Sequence, residues 1–298
     1  MNITTYKKWS ENWQHRLVVS LPMLWFLAFL MIPFLFVLAI SFTVPADGTP
    51  PFSTIVHYSD KALHIALHLS NYAQALYSKL TYIALFDSIK VAVITTLLCI
   101  LIGYPIAFAL SQMKTKAQHL FLLLIIIPYW TSFLLRTYAW VTLLGNHQLN
   151  TFLMELGLPS MALLYNNFSM YLGMVYCYLP FFILPLYATL IKLDPILNNA
   201  AADLGAKPMT IFFKITAPLS MPGLIAGSLL VFIPAIGEVV VPQIMGGIDS
   251  VMIGNVIWEQ FFTANNWGAS AATSIILLII LIIPIIWIQK IQKREQPQ

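Results

Sequence analysis

Four ionisable side chains lie inside otherwise apolar stretches of this chain: Asp87, Lys90, Arg136 and Glu238. A charge at mid-membrane costs about 2.5–3.5 kcal/mol on insertion scales, so such groups face a partner or a wet cavity. Two readings of Glu238 stand open. Its carboxylate pairs with Arg136 and fixes helix packing, or it faces an aqueous path and meets a moving cation. Trp130, Tyr138 and Trp140 neighbour Arg136 in the chain. They add cation–π surface or act as interfacial anchors, the role expected of Trp140. Along straight helices Arg136 stands roughly 26 Å and Glu238 roughly 24 Å above the inner ends of their segments. With Asp87 and Lys90 at the outer start of another segment, the four share one layer, adjusted by bends at Pro128 and Pro234.

Other chemistry is poorly served. His64 and His68 are four residues apart, as on one helical face, but the nearest further imidazole is the distant His57, so a solvated surface is expected and no metal site. There is no G-x-x-x-x-G-K-[ST] stretch, and no lysine follows a glycine, so a phosphate-cradling loop is absent. No paired catalytic residues, and no cofactor-binding pattern, emerge.

The elements that carry these groups follow from composition. Of 298 residues, 59% are hydrophobic and 9% charged, against roughly 25% charged in soluble domains. That is too little charge for a polar skin. The apolar residues come in blocks long enough to cross a bilayer, which takes about 20 residues. The blocks place six spans near 17–42, 86–110, 119–144, 170–191, 222–242 and 269–288. The first follows Lys7, Lys8 and Arg16 but outruns the apolar core of a signal peptide, so it reads as an uncleaved anchor. Segment 61–85, interrupted by Lys61, His64, His68, Asn71, Gln74 and Lys79, reads as one interfacial helix. Cys99 and Cys177 fall within apolar blocks as small hydrophobes. The net charge of +4 is scattered, which excludes a nucleic-acid surface. The expected fold is all-α: one polytopic membrane domain over 1–298 with about six transmembrane helices.

With the N-terminus in the cytoplasm, the inner segments hold Lys7, Lys8, Arg16, Lys114, Lys116, Lys192, Lys207, Lys214, Lys290, Lys293 and Arg294. Only Lys61, Lys79, Lys90 and Arg136 remain elsewhere. This is the positive-inside pattern, and it puts both termini in the cytoplasm. Asp47, Asp60, Glu155, Asp249 and Glu259 fall on the outer side.

The loop 192–221 reads KLDPILNNAAADLGAKPMTIFFKITAPLSM. Asp194-Pro195 is a helix start, with a capping oxygen followed by a proline whose missing N–H costs nothing. Asn199, Ala200, Ala201, Ala202, Asp203 and Leu204 continue a short helix with a small-residue surface. Gly205 breaks it, and Lys207-Pro208 opens a second short helix expected to end before Pro218. A capped helix between two spans suits docking into a partner's cleft.

These residues resemble the cytoplasmic motif of ABC importer permeases: Glu-Ala-Ala, three residues, Gly, nine residues, then Ile-x-Leu-Pro. Ala200, Ala201, Gly205, Ile215 and Pro218 match at that spacing, while Asn199 replaces the glutamate and Ala217 the leucine. The stretches PYWTSFLLRTYAWVTLLG (128–145), YCYLPFFILPLYATLIKLDP (176–195) and LLVFIPAIGEVVVPQIMGGIDSVMIGNVIWEQFF (229–262) resemble the polyamine-transport permeases, in particular the putrescine-type subunit. The resemblance implies an inner-membrane subunit forming the translocation path for polyamines. It also implies a second related permease, two cytoplasmic ATPase subunits that hydrolyse the ATP, a periplasmic polyamine-binding protein and a surround of membrane lipid. Asn199, Ala200, Ala201, Asp203, Gly205, Ile215 and Pro218 would form the coupling loop. Glu238, Arg136, Asp87, Trp130 and Tyr138 would line the path. A sister system importing another small solute, and a secondary transporter working without an ATPase, are the rival readings. The usual sign of the second is an inverted internal repeat with broken helices, and no convincing repeat of that kind is found in the residues.

Overall fold

The computed structural model describes residues 3–46, 48–53, 56–59, 62–65, 67–146, 151, 154–155, 162–247 and 250–295. Lys61, Asp47, Asp60 and Asp249 lie outside them. Helices dominate. In chain order they are α1 (Ile3–Ile40), α2 (Ser70–Tyr77), α3 (Lys79–Gln112), α4 (Thr115–Ile126), α5 (Phe133–Leu144), α6 (Asn167–Leu190), α7 (Pro195–Asp203), α8 (Pro208–Ile211), α9 (Ala217–Ile236), α10 (Val240–Met245), α11 (Ile253–Trp258) and α12 (Trp267–Glu295). Four stretches are each long and apolar enough to cross a membrane: Val18–Ile40, Lys79–Gln112, Asn167–Leu190 and Pro208–Ile236. The pair Thr115–Trp130 and Phe133–Leu144 makes a fifth when taken as one broken span, and Trp267–Ile283 is a shorter apolar helix.

The chain forms two compact units. The first comprises Met1–Tyr77 and Glu259–Leu277. In it, almost none of the apolar part of α1 is buried. The chain leaves α1 at Ser41, where Asn71 Nδ2 donates to the carbonyls of Ser41 at 3.0 Å and Thr43 at 2.6 Å. Trp267 stacks on Phe261 at 4.7 Å and meets Phe52 at 5.9 Å.

The expected single helix over 61–85 does not form. Val56–Ser59 and Ala62–Ile65 pair as antiparallel strands β1 and β2, with His57 opposite His64 in the register. Val-His-Tyr-Ser alternates throughout and Leu-His-Ile within the second run does too, a fit to a period of two. Ser78 then starts α3, its side chain accepting from Thr81 N. His64 thus falls in a strand and His68 beyond it, so the helical pairing of these two residues is absent.

The second unit comprises Ser78–Trp258 and Leu278–Gln298. Helices α3, α6 and α9 pack on one another around Phe182, which is fully buried. A Cβ on Gly227 would stand 2.7 Å from the Phe182 carbonyl oxygen, and one on Gly103 would stand 2.5 Å from the Phe182 ring. Glycine is what lets three helices close on one aromatic ring. Tyr104 and Ser220 join α3 to α9 through their hydroxyls at 2.8 Å. Cys99 and Cys177 are buried free thiols.

Two spans depart from the expected straight segments. The stretch 119–144 bends by 94° after Trp130. A 3₁₀ turn over Ile127–Trp130, with Pro128 as its second residue, ends α4, and Ser132 opens α5. The segment placed at 222–242 instead runs over Pro208–Ile236. Pro218 does not end a helix. The wider π turn Phe212–Thr216 leaves it in the first turn of α9, where a missing N–H is harmless. Depths counted along straight helices therefore do not carry over to Arg136 or Glu238.

Candidate functional site

Helix α9 stops at Ile236, and the chain resumes helical form only at Val240. Glu238 sits in this break. Its Oε1 accepts the backbone N–H groups of Val240 at 3.0 Å and Val241 at 3.4 Å, so the side chain satisfies two orphan donors at the start of α10. Its Oε2 accepts the Tyr178 hydroxyl from α6. All three bonds are accepted, the pattern of a carboxylate.

The far side of the break is closed by α11. Gly254 crosses so near that a Cβ there would stand 2.6 Å from the Gly237 oxygen and 3.0 Å from that of Glu238. Asn255 Nδ2 donates to Val239 O at 3.3 Å, while its Oδ1 is buried without a partner among the described residues. Ser88 on α3 accepts the Ile253 N–H at 2.7 Å and so holds the start of α11. An interrupted helix, with its peptide groups met by side chains, is how membrane proteins tolerate irregular backbone at depth.

Arg136 is not Glu238's partner: among the described residues no ion pair joins them. The guanidinium instead lies over the Tyr129 ring, 4.2 Å from its centroid. The Tyr129 hydroxyl donates to the carbonyls of Tyr176 at 2.8 Å and Cys177 at 2.7 Å. Arg136 and Glu238 therefore meet the same turn of α6 through two different tyrosines. Phe181 touches both rings, at 5.8 Å from Tyr129 and 6.4 Å from Tyr178. Trp140 packs edge-on to Tyr176 at 5.4 Å.

The other expected residues stand apart. Asp87 is half-buried on α3, while Trp130 and Tyr138 are exposed, Trp130 by 82%. Among the described residues none of the three bonds to Glu238. Tyr178, Tyr129 and Asn255 were not singled out from the sequence. Their one signal is a polar tip inside an apolar block, shared with residues of no special role.

At the other end of α6 and α9, Asp194 caps α7 by accepting from Ile196 N at 2.9 Å. Helix α7 ends at Asp203, and Gly205 follows its cap with a φ of +80° and nothing within 4 Å of an added Cβ. Ile196, Leu197, Leu204 and Met209 are exposed beside it, Leu204 by 89%. These four side chains form an exposed apolar surface on and after a short capped helix. Ile215 and Pro218 belong to the π turn and α9, so the motif spans both the exposed helix and the root of a membrane helix.

Fold and site together define a polytopic helical membrane protein with a helix broken between Ile236 and Val240 and an exposed helix between two spans. The pattern of binding-protein-dependent transport system inner membrane components matches residues 99–296. The chain belongs to that family and is a permease component of the inner membrane. It is 37% identical over 268 residues to the spermidine/putrescine transport system permease protein PotB of Haemophilus influenzae, covering 89% of each chain. It is 37% identical to PotB of Escherichia coli, over 85% of this chain and 88% of that one. The fold matches a bacterial ABC transporter involved in import of the acidic polysaccharide alginate, with TM-score 0.68, 12% identity, and coverage of 99% and 100% of the two chains.

Proposed function

We propose that this chain is a permease subunit of an ATP-driven importer and forms part of the path for polyamines handed over by a periplasmic binding protein. The observation that carries this reading is the Glu238 carboxylate, set in a helix break and bonded to Tyr178, whose ring in turn meets Phe181. An alkylammonium needs an anionic acceptor and tolerates aromatic faces. A weak, several-point contact is what a path requires, since a tight site holds its cargo. Asp87 and Trp130 stand further along the route as a polar and an aromatic lining. The likeness to the PotB permeases supports the choice of solute.

The remaining parts follow from chemistry the chain lacks and surfaces it exposes. Both termini and the loop 192–221 face the cytoplasm. A second related permease completes the path, and two ATPase subunits supply the energy. One of these covers α7, with Asn199, Ala200, Ala201, Asp203 and Gly205 at the contact and Ile215 and Pro218 at its root. Closure and reopening of the ATPase pair shift the permease pair between outward and inward openings. Asn199, uncharged, contributes hydrogen bonds where the related motif has a glutamate.

The test is reconstitution. The complex in proteoliposomes, given ATP and binding protein, should accumulate radiolabelled putrescine or spermidine and not an uncharged diol of equal length. Equal uptake of the diol, or uptake of neither amine, would overturn the assignment.

A further inference from the structure

A guanidinium does not lose its charge in proteins, yet Arg136 Nε and Nη1 are buried with no hydrogen-bond partner among the described residues. The Tyr129 ring offsets that burial only in part. Beside Arg136 lies a cavity of about 350 Å³, walled by Leu135, Ala139, Trp140, Leu143 and Tyr176. Arg136 is the one charge among its lining residues. Helix α5, which carries Arg136, turns 94° from the preceding segment and leaves Leu134, Leu135, Tyr138 and Leu143 exposed. A helix lying across its predecessor, with exposed leucines and aromatic residues around a basic one, has the pattern of an element at headgroup level.

We propose that this cavity is a phospholipid site: Arg136 takes the headgroup phosphate, and the Leu135, Ala139 and Leu143 wall takes the first part of an acyl chain. Guanidinium and phosphate match in charge and in bidentate geometry. Occupancy draws the shielded N–H groups from the tyrosine face toward the cavity and exchanges ring contact for charge-assisted hydrogen bonds. The inference rests on the chain's place in the membrane and not on the identity of the solute. Uptake assays and lipid retention therefore fail independently.

The assembled complex, purified from its membrane in mild detergent, would be examined by native mass spectrometry as wild type, Arg136→Gln and Ala139→Phe. The second variant fills the cavity and leaves the arginine in place. Wild type should keep one phospholipid per copy of this chain that both variants lose, with occupancy down about tenfold or more and subunit stoichiometry unchanged. Phosphatidylglycerol vesicles should restore the lipid to wild type alone, and inorganic phosphate should not displace it. Equal retention in all three proteins would overturn the proposal. So would displacement by inorganic phosphate, which makes the site one for free anions. Loss of a neighbouring subunit from Arg136→Gln with lipid unchanged would assign the missing anion to that subunit's carboxylate. Should Arg136→Gln fail to assemble, lipid retained by Ala139→Phe overturns the proposal and lipid lost from it upholds the proposal.

Discussion

Tyr178 donates a hydrogen bond from its hydroxyl to Glu238 Oε2 and so fastens the middle of α6 to the break between α9 and α10. The same carboxylate caps α10. Glu238 therefore has a structural role that is independent of any cargo, and a test of its transport role must preserve that cap. Glu238→Gln keeps an acceptor oxygen for the Val240 N–H while removing the charge. The complex should assemble and hydrolyse ATP, and polyamine uptake should fall about tenfold or more. Adding Arg136→Gln should rescue nothing, because the two groups do not pair. Uptake restored in the double variant would show an ion pair in the working protein.

Removing the hydroxyl that reaches Glu238 gives a milder lesion. Tyr178→Phe keeps the ring against Phe181 and deletes one hydrogen bond to a charged acceptor, a loss of roughly 1.5–3 kcal/mol. Thermal stability of the purified complex should drop by a few degrees, and the half-saturating amine concentration for uptake should rise. Unchanged values of both would mean that the bond contributes nothing.

Gly205 takes the left-handed backbone at the end of α7. An L side chain there costs roughly 1–2 kcal/mol, with asparagine suffering least. Gly205→Val should leave membrane insertion intact while weakening ATPase association or its stimulation, and Gly205→Asn should retain most of the coupling. Pull-down of the ATPase together with its turnover rate would rank the variants; equal coupling in Val and wild type would remove α7 from the docking surface.

Gly227 admits the backbone of Phe182. Gly227→Val overpacks a contact made by main-chain atoms, which shift less easily than side chains, and should destabilise by about 1–3 kcal/mol. Size-exclusion recovery after brief heating would report it, with aggregation several degrees below wild type. Recovery equal to wild type would mean that α6 and α9 can separate without loss.

Sidedness is settled by single cysteines in a background lacking Cys99 and Cys177. An impermeant thiol reagent added to intact cells should miss positions Lys114 and Met209 and modify Thr49, which is exposed on the other unit. Labelling of Met209 from outside would place α7 on the wrong face.

The helices were legible because a bilayer-length apolar block permits few alternatives, and Asp194-Pro195 and Gly205 marked α7 by local backbone chemistry. Breaks were less legible. Pro128 announced a bend, but its 94° depends on what α5 packs against. Pro218 looked like a terminator only because a preceding π turn cannot be seen in residue types. The strand pair Val56–Ser59 and Ala62–Ile65 was hidden because the polar residues from Lys61 onward, among them His64 and His68, suit an interfacial helix equally well. Glu238 stood out as a lone acid in an apolar stretch. Its partners did not, since a tyrosine on another helix leaves no trace in spacing, and Arg136 was the nearest opposite charge only on the assumption of straight helices.

Helix α1 buries almost none of its apolar length in the rest of the chain. Along its apolar stretch a helix satisfies its peptide groups within itself, and the apolar side chains there ask only for hydrocarbon. Such a segment is thermodynamically complete once it leaves the ribosome and partitions into lipid. It can then hold the growing chain at the bilayer while α3, α6 and α9 wait for one another to be synthesised before they close on Phe182.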